Sequence, residues 1–133
     1  MNILLVCKHN RFRSRVAEAY FNKINKNKKN KAKSAGLFIG KYPLSKLQVS
    51  IAKKLGISIN GKPKPISTDL LKQQDMIVIV ADDVPAKLFR YSEMKYKILI
   101  WKIKDEYNGN KKNIENIIKS IMKKVDNLVK VLK

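Results

Sequence analysis

Residues 76–81 read MIVIVA, six positions without one polar side chain. A strand with one wet face alternates polar and apolar residues, so an unbroken β-branched run is covered on both faces, as in a parallel sheet. The runs ILLV at 3–6 and YKILIW at 96–101 read as strands of the same kind, and AKSAGLF at 32–38 as a strand that ends in a turn. Between them the apolar spacing changes to that of helices: Val16, Tyr20 and Ile24; then Leu44, Leu47, Ile51, Ala52 and Leu55, closed by Gly56. A short helix is expected over 85–91. The chain then ends on Ile114, Ile117, Ile118, Ile121, Val125, Leu128, Val129 and Leu132, an amphipathic stripe about five turns long. Strands alternating with helices predict an α/β fold: one domain over 1–133, built as a four-stranded parallel sheet with helices on both faces. Such sheets bind ligands at the carboxyl ends of their strands, and Cys7 and Asp105 each lie just past one such end, on one rim.

A chain of 133 residues, 44% of them hydrophobic, is long enough to bury a core without staples. It has no apolar run near the ~20 residues that span a bilayer, and its start lacks a signal-peptide layout. Its single cysteine forms no internal disulfide, so a reducing, cytoplasmic setting is the expectation. Thirty Lys and Arg against ten Asp and Glu give a formal charge of +20. Between Ala19 and Thr68 stand twelve lysines with no arginine and no acid, and NKINKNKKNKAK at 22–33 reads as a frayed helix end and a loop. Such a field attracts anions. Lysine and asparagine nevertheless travel with isoleucine throughout, as an AT-rich coding sequence would write them, so the charge reads as a solvated surface. No basic–aromatic interleaving marks a specific nucleic-acid site.

The chemistry gathers in VCKHNRFRSRVAEAYF, from Val6 to Phe21. A loop of five residues between Cys7 and Arg13, leaving a strand and entering a helix, turns backbone N–H groups inward as a nest of anion size. The helix N-terminus adds its partial positive charge at the same point. A thiol at the base of that nest is stabilised as thiolate, the nucleophilic form. Arg13 offers a planar fork that clamps two oxygens of an oxyanion, which lysine does not. Ser14 can donate to the sulfur and cap the helix.

These residues resemble the signature of the low-molecular-weight protein tyrosine phosphatases and their relatives, the thioredoxin-coupled arsenate reductases. In that superfamily the loop is Cys-x5-Arg-Ser followed by an Ala-Glu-Ala-like helix. The likeness continues through SAG at 34–36, the DMIVIV strand and a late acid after the last strand, in order along nearly the whole chain. It implies Cys7 as nucleophile, Arg13 as phosphate clamp and Ser14 as thiolate partner, with the Asn10 side chain bracing the loop. The loop residues Lys8, His9, Asn10, Arg11 and Phe12 would join Ser14 in holding the substrate.

A thiolate that displaces an aryl oxygen from phosphorus needs an acid to protonate the leaving group. The family supplies an aspartate in Asp-Pro, followed by an aromatic that walls the cleft. Here IKDEYNGN offers Asp105 as that acid, Glu106 in place of the proline and as a possible substitute acid, and Tyr107 as the aromatic. His9 stands where the phosphatases usually have glycine, and HN there looks more like the arsenate reductases. Arg15 replaces a residue that is often proline, and Phe12 one that is often a second cysteine. Asp82 and Asp83 either look into the cleft or cap the helix near Pro85, the second being the expectation. The resemblance implies a phosphomonoesterase acting on phosphotyrosine proteins or small aryl phosphates through a cysteinyl-phosphate, inhibited by phosphate-like oxyanions, with no metal or cofactor. The alternatives are arsenate reduction with an external thiol, since the chain holds no second one, and a non-catalytic anion or nucleic-acid binder on the same scaffold.

Overall fold

A computed structural model describes residues 1–40, 43–106 and 108–132. Four parallel strands, β1 (Asn2–Cys7), β2 (Lys31–Gly36), β3 (Met76–Val80) and β4 (Lys97–Trp101), form one sheet in the order β2-β1-β3-β4. The register sets Leu5 beside Ser34 and Val78, and Val78 in turn beside Leu99. Every residue of β3 is buried, as its unbroken apolar run requires. The order reverses between β1 and β3: the chain leaves β1 for β2 on one side, then returns to β1's other side. Such a switch point opens a crevice at the carboxyl ends, where Cys7 ends β1.

The helices are α1 (Arg13–Ile24), α2 (Lys46–Lys54), α3 (Thr68–Lys72) and α4 (Lys111–Val131). In α4 the buried residues are Ile114, Ile118, Ile121, Val125 and Leu128, alternating steps of four and three that keep one stripe facing inward. That stripe packs with Val16 and Phe21 of α1, Ile51 and Ala52 of α2, and Ile3, Leu5 and Val78 of the sheet. The opposite face, carrying Leu4, Val6, Ile77 and Ile79, is covered by Leu71 of α3 and by Phe89 of a short 3₁₀ turn at Ala86–Phe89. The layers are therefore unequal, with three longer helices on one side and two short elements on the other.

Local details depart from the expectations. β2 stops at Gly36, whose N–H donates to the Lys64 carbonyl, and Leu37 and Phe38 instead donate to the carbonyls of Cys7 and Lys8. The stretch expected to finish a strand thus runs beside the loop after β1 and props it. The helix near Pro85 is a single 3₁₀ turn without a side-chain cap, so Asp82 and Asp83 do not cap it. Ser14 lies inside the first turn of α1, whose N-cap is Phe12, and caps nothing. Among the described residues, no helix is long and apolar enough to cross a membrane.

Candidate active site

The loop from Cys7 to Arg13 is held by one buried polar chain. Cys7 Sγ lies 3.0 Å from Ser14 Oγ, both buried. Asn10 Nδ2 donates to Ser14 Oγ at 2.8 Å and to Ser34 Oγ at 2.9 Å, while Asn10 Oδ1 accepts from the Lys64 N–H at 2.9 Å. The Ser34 hydroxyl itself donates to Glu18 Oε1 at 2.6 Å. Because Asn10 donates into Ser14 Oγ, the serine proton is free to point at the sulfur, the arrangement that suits a thiolate. Asn10 has φ +54°, a left-handed conformation that asparagine tolerates better than most residues. Gly36 sits hard against the loop: a Cβ there would meet His9 C at 2.7 Å and Asn10 N at 2.8 Å.

Arg13 is 2% exposed and is the largest fully buried side chain among the described residues. Its Nη1 donates to the Ile103 carbonyl at 2.9 Å and lies 3.0 Å from Asp83 Oδ1 and 3.7 Å from Asp82 Oδ1. Its Nη2 is 3.6 Å from Asp105 Oδ2. Burial alone would work against the charged guanidinium. The charges of Cys7, Asp105 and Asp83 outweigh it and raise the Arg13 pKa above its ordinary value. The two aspartates after β3 therefore meet Arg13. The sheet order brings them there, since β3 lies directly beside β1.

Asp105 and Glu106 are held differently. Among the described residues Asp105 Oδ1 accepts from the neighbouring Glu106 N–H at 2.9 Å, while Oδ2 faces Arg13. Glu106 accepts from the Asn108 N–H at 2.8 Å and from Asn113 Nδ2 at 2.9 Å, and these bonds lower its pKa.

A cavity of about 390 Å³ opens over the loop, lined by Cys7, His9, Arg11, Phe12, Arg13 and Asp105 among others. Asn10 and Ser14 lie buried beneath it. Lys8 is not part of the lining, and Tyr107 lies outside the described residues. Gly40, Ser45 and Gln48 join the wall from the segment ahead of α2 and from α2 itself. Nothing in their sequence context announced them. His9 is tied back by an Nδ1 contact of 3.0 Å with the Phe38 carbonyl. The arrangement places one thiol, one buried guanidinium and the two carboxyl residues Asp105 and Glu106 around a space of ligand size.

The model of the low molecular weight phosphotyrosine protein phosphatase family matches residues 2–133, and the chain belongs to that family. Among solved structures it is similar to a low molecular weight protein tyrosine phosphatase from T. tengcongensis, with 27% identity and a TM-score of 0.83 over 98% of each chain. It is similar also to an arsenate reductase from Archaeoglobus fulgidus, with 25% identity and a TM-score of 0.77 over 96% of this chain and 98% of that one. A protein tyrosine phosphatase from Entamoeba histolytica, solved with Hepes in its active site, shares the fold at 24% identity. Its TM-score is 0.86, over 99% of this chain and 96% of that one. Among curated proteins the chain matches none.

Proposed function

We propose that this phosphatase-family chain hydrolyses aryl phosphomonoesters, phosphotyrosine in proteins among them, through a phosphoryl group carried on Cys7. Cys7 Sγ attacks phosphorus while the bond from phosphorus to the aryl oxygen breaks, and Asp105 gives its proton to the departing phenolate. Water then attacks the phosphorus, Asp105 takes back a proton, and the sulfur–phosphorus bond breaks to release inorganic phosphate and the thiolate. Arg13 and the loop N–H groups hold the equatorial oxygens throughout. His9, Arg11 and Phe12 form the mouth that receives the substrate.

The observation that carries this reading is the Cys7–Ser14–Asn10–Ser34 chain, which leaves the Ser14 hydroxyl proton free to donate to the sulfur. A thiol buried for packing alone has no need of such a donor. The family's arsenate reductases make reduction of arsenate the rival reaction. The single cysteine leaves no second thiol in the chain to release arsenic from the first. Assays of a chromogenic aryl phosphate and of arsenate with added small thiol, run side by side, decide between them. Phosphatase turnover that disappears in Cys7→Ser is expected. Arsenate reduction without aryl phosphate turnover would reverse the assignment.

A further inference from the structure

A second cavity of about 370 Å³ lies apart from the thiol, between α1 and the segment ahead of α3, with Arg15, Glu18, Asn22, Asn60, Lys62 and Lys64 in its wall. Arg15 stands where the sequence departs from the proline its resemblance leads one to expect, and the reaction above makes no use of it. Its side chain is 6% exposed. Nη2 donates to the carbonyls of Asn60 and Gly61, whereas Nη1 is buried without a hydrogen-bond partner among the described residues. A buried guanidinium with an unmet N–H is costly, and folds rarely keep one for packing alone.

The charge around it is unbalanced. Glu18 is the one acid in the wall and is already engaged, by Lys64 Nζ at 3.6 Å and by Ser34 Oγ at 2.6 Å. Lys62 is exposed and has no ion pair among the described residues. Arg15 and Lys62 are thus left as cations without an anion, in a space far larger than the ~30 Å³ share of a water molecule. A water would satisfy the N–H but would leave the charge uncompensated.

We propose that this cavity is a second anion site, taking a phosphate dianion, free or as the monoester of a small carrier, between the Arg15 guanidinium and the Lys62 ammonium. The planar fork of Arg15 suits a tetrahedral oxyanion, and Lys62 adds a flexible point charge at the rim. The site adjoins the catalytic loop without sharing its groups. Arg15 follows Ser14 in α1, and the Lys64 N–H is bonded to Asn10.

The test is a titration followed by ¹⁵N-resolved NMR on the full chain with Cys7 alkylated, which closes the catalytic nest because no other cysteine exists to react. It therefore reads this site whether or not the chain is a phosphatase. Inorganic phosphate should give saturable shifts at the Gly61 and Lys62 amides and at the Arg15 side-chain N–H. Chloride at equal ionic strength should not. Lys62→Gln, at an exposed position, should weaken the binding about tenfold, and Arg15→Gln should abolish it if that variant folds. Tighter binding of a glycerol phosphate than of inorganic phosphate would name a carrier-borne ligand, and the reverse a free one. Shifts that stay linear in phosphate and are matched by chloride, or saturable shifts that Lys62→Gln leaves unchanged, overturn the proposal.

Discussion

Arg13 does two things at once: it is the most deeply buried cation among the described residues and it stands among three aspartates. Two of them, with the Ile103 carbonyl, hold Nη1 and so aim the fork into the cavity. Lysine at this position keeps a charge but loses the fork, so Arg13→Lys should lose on the order of 10²–10³ in kcat on an aryl phosphate, close to the loss in Arg13→Ala. A lysine variant that keeps most of kcat would mean that Arg13 supplies charge alone. Asp105 and Glu106 separate by leaving group. Asp105→Asn should lower kcat/KM for phosphotyrosine by about 10²-fold or more while lowering it far less for nitrophenyl phosphate, because kcat/KM reports the step in which the aryl oxygen leaves and only the more basic phenolate needs the proton there. A uniform loss would assign Asp105 to positioning. Glu106 is tied to Asn108 and Asn113, and its folded pKa is lowered. Its contribution to stability is therefore present above the ordinary carboxylate range and is lost as pH falls through the lowered value. Glu106→Gln should leave the leaving-group dependence intact and should lower stability at neutral pH, with the difference vanishing in acid. A stability gap that persists in acid would contradict this.

At the scale of elements, the loop after β1 is shaped from outside as much as from within. Gly36 leaves β2 directly against the His9 and Asn10 backbone, so Gly36→Ala pushes on the loop that carries the thiol. Overpacking of this kind typically costs about 1–3 kcal/mol. The variant should show that loss in a denaturation midpoint together with a fall in kcat, and unchanged values for both would show that the loop is not pinned there. The strands were readable because burial on both faces leaves only apolar residues, and α4 because its stripe is long enough to show a period. The Cys7–Ser14 constellation was readable because its members are neighbours in sequence. Asp82 and Asp83 were misread as caps because their meeting with Arg13 depends on β3 lying beside β1, which no local pattern states. α3, five residues capped by Ser67, is too short to show a period. The Ile103 carbonyl and the Lys64 N–H are backbone groups, and a side-chain code does not announce them.

For the molecule as a whole, the formal charge of +20 surrounds a site built for an anion. Screening acts first on long-range attraction between exposed charges, with a Debye length of about 10 Å at 0.1 M salt. Raising salt should therefore lower kcat/KM for an acidic phosphopeptide more than for a small aryl phosphate, and equal sensitivity would make the surface charge irrelevant to capture. In the proposed reaction the buried thiol at the end of β1 carries the phosphoryl group. Asp105→Asn, in which removal of that group should be slowed, is the protein in which to look for it. Acid-quenched samples from early in its reaction with nitrophenyl phosphate should, by mass spectrometry, carry phosphate on the peptide containing Cys7, at a level near one per chain. Turnover of the same substrate by the parent, with no phosphate on Cys7 in either protein at any quench time, would mean that the phosphoryl group never passes through the thiol.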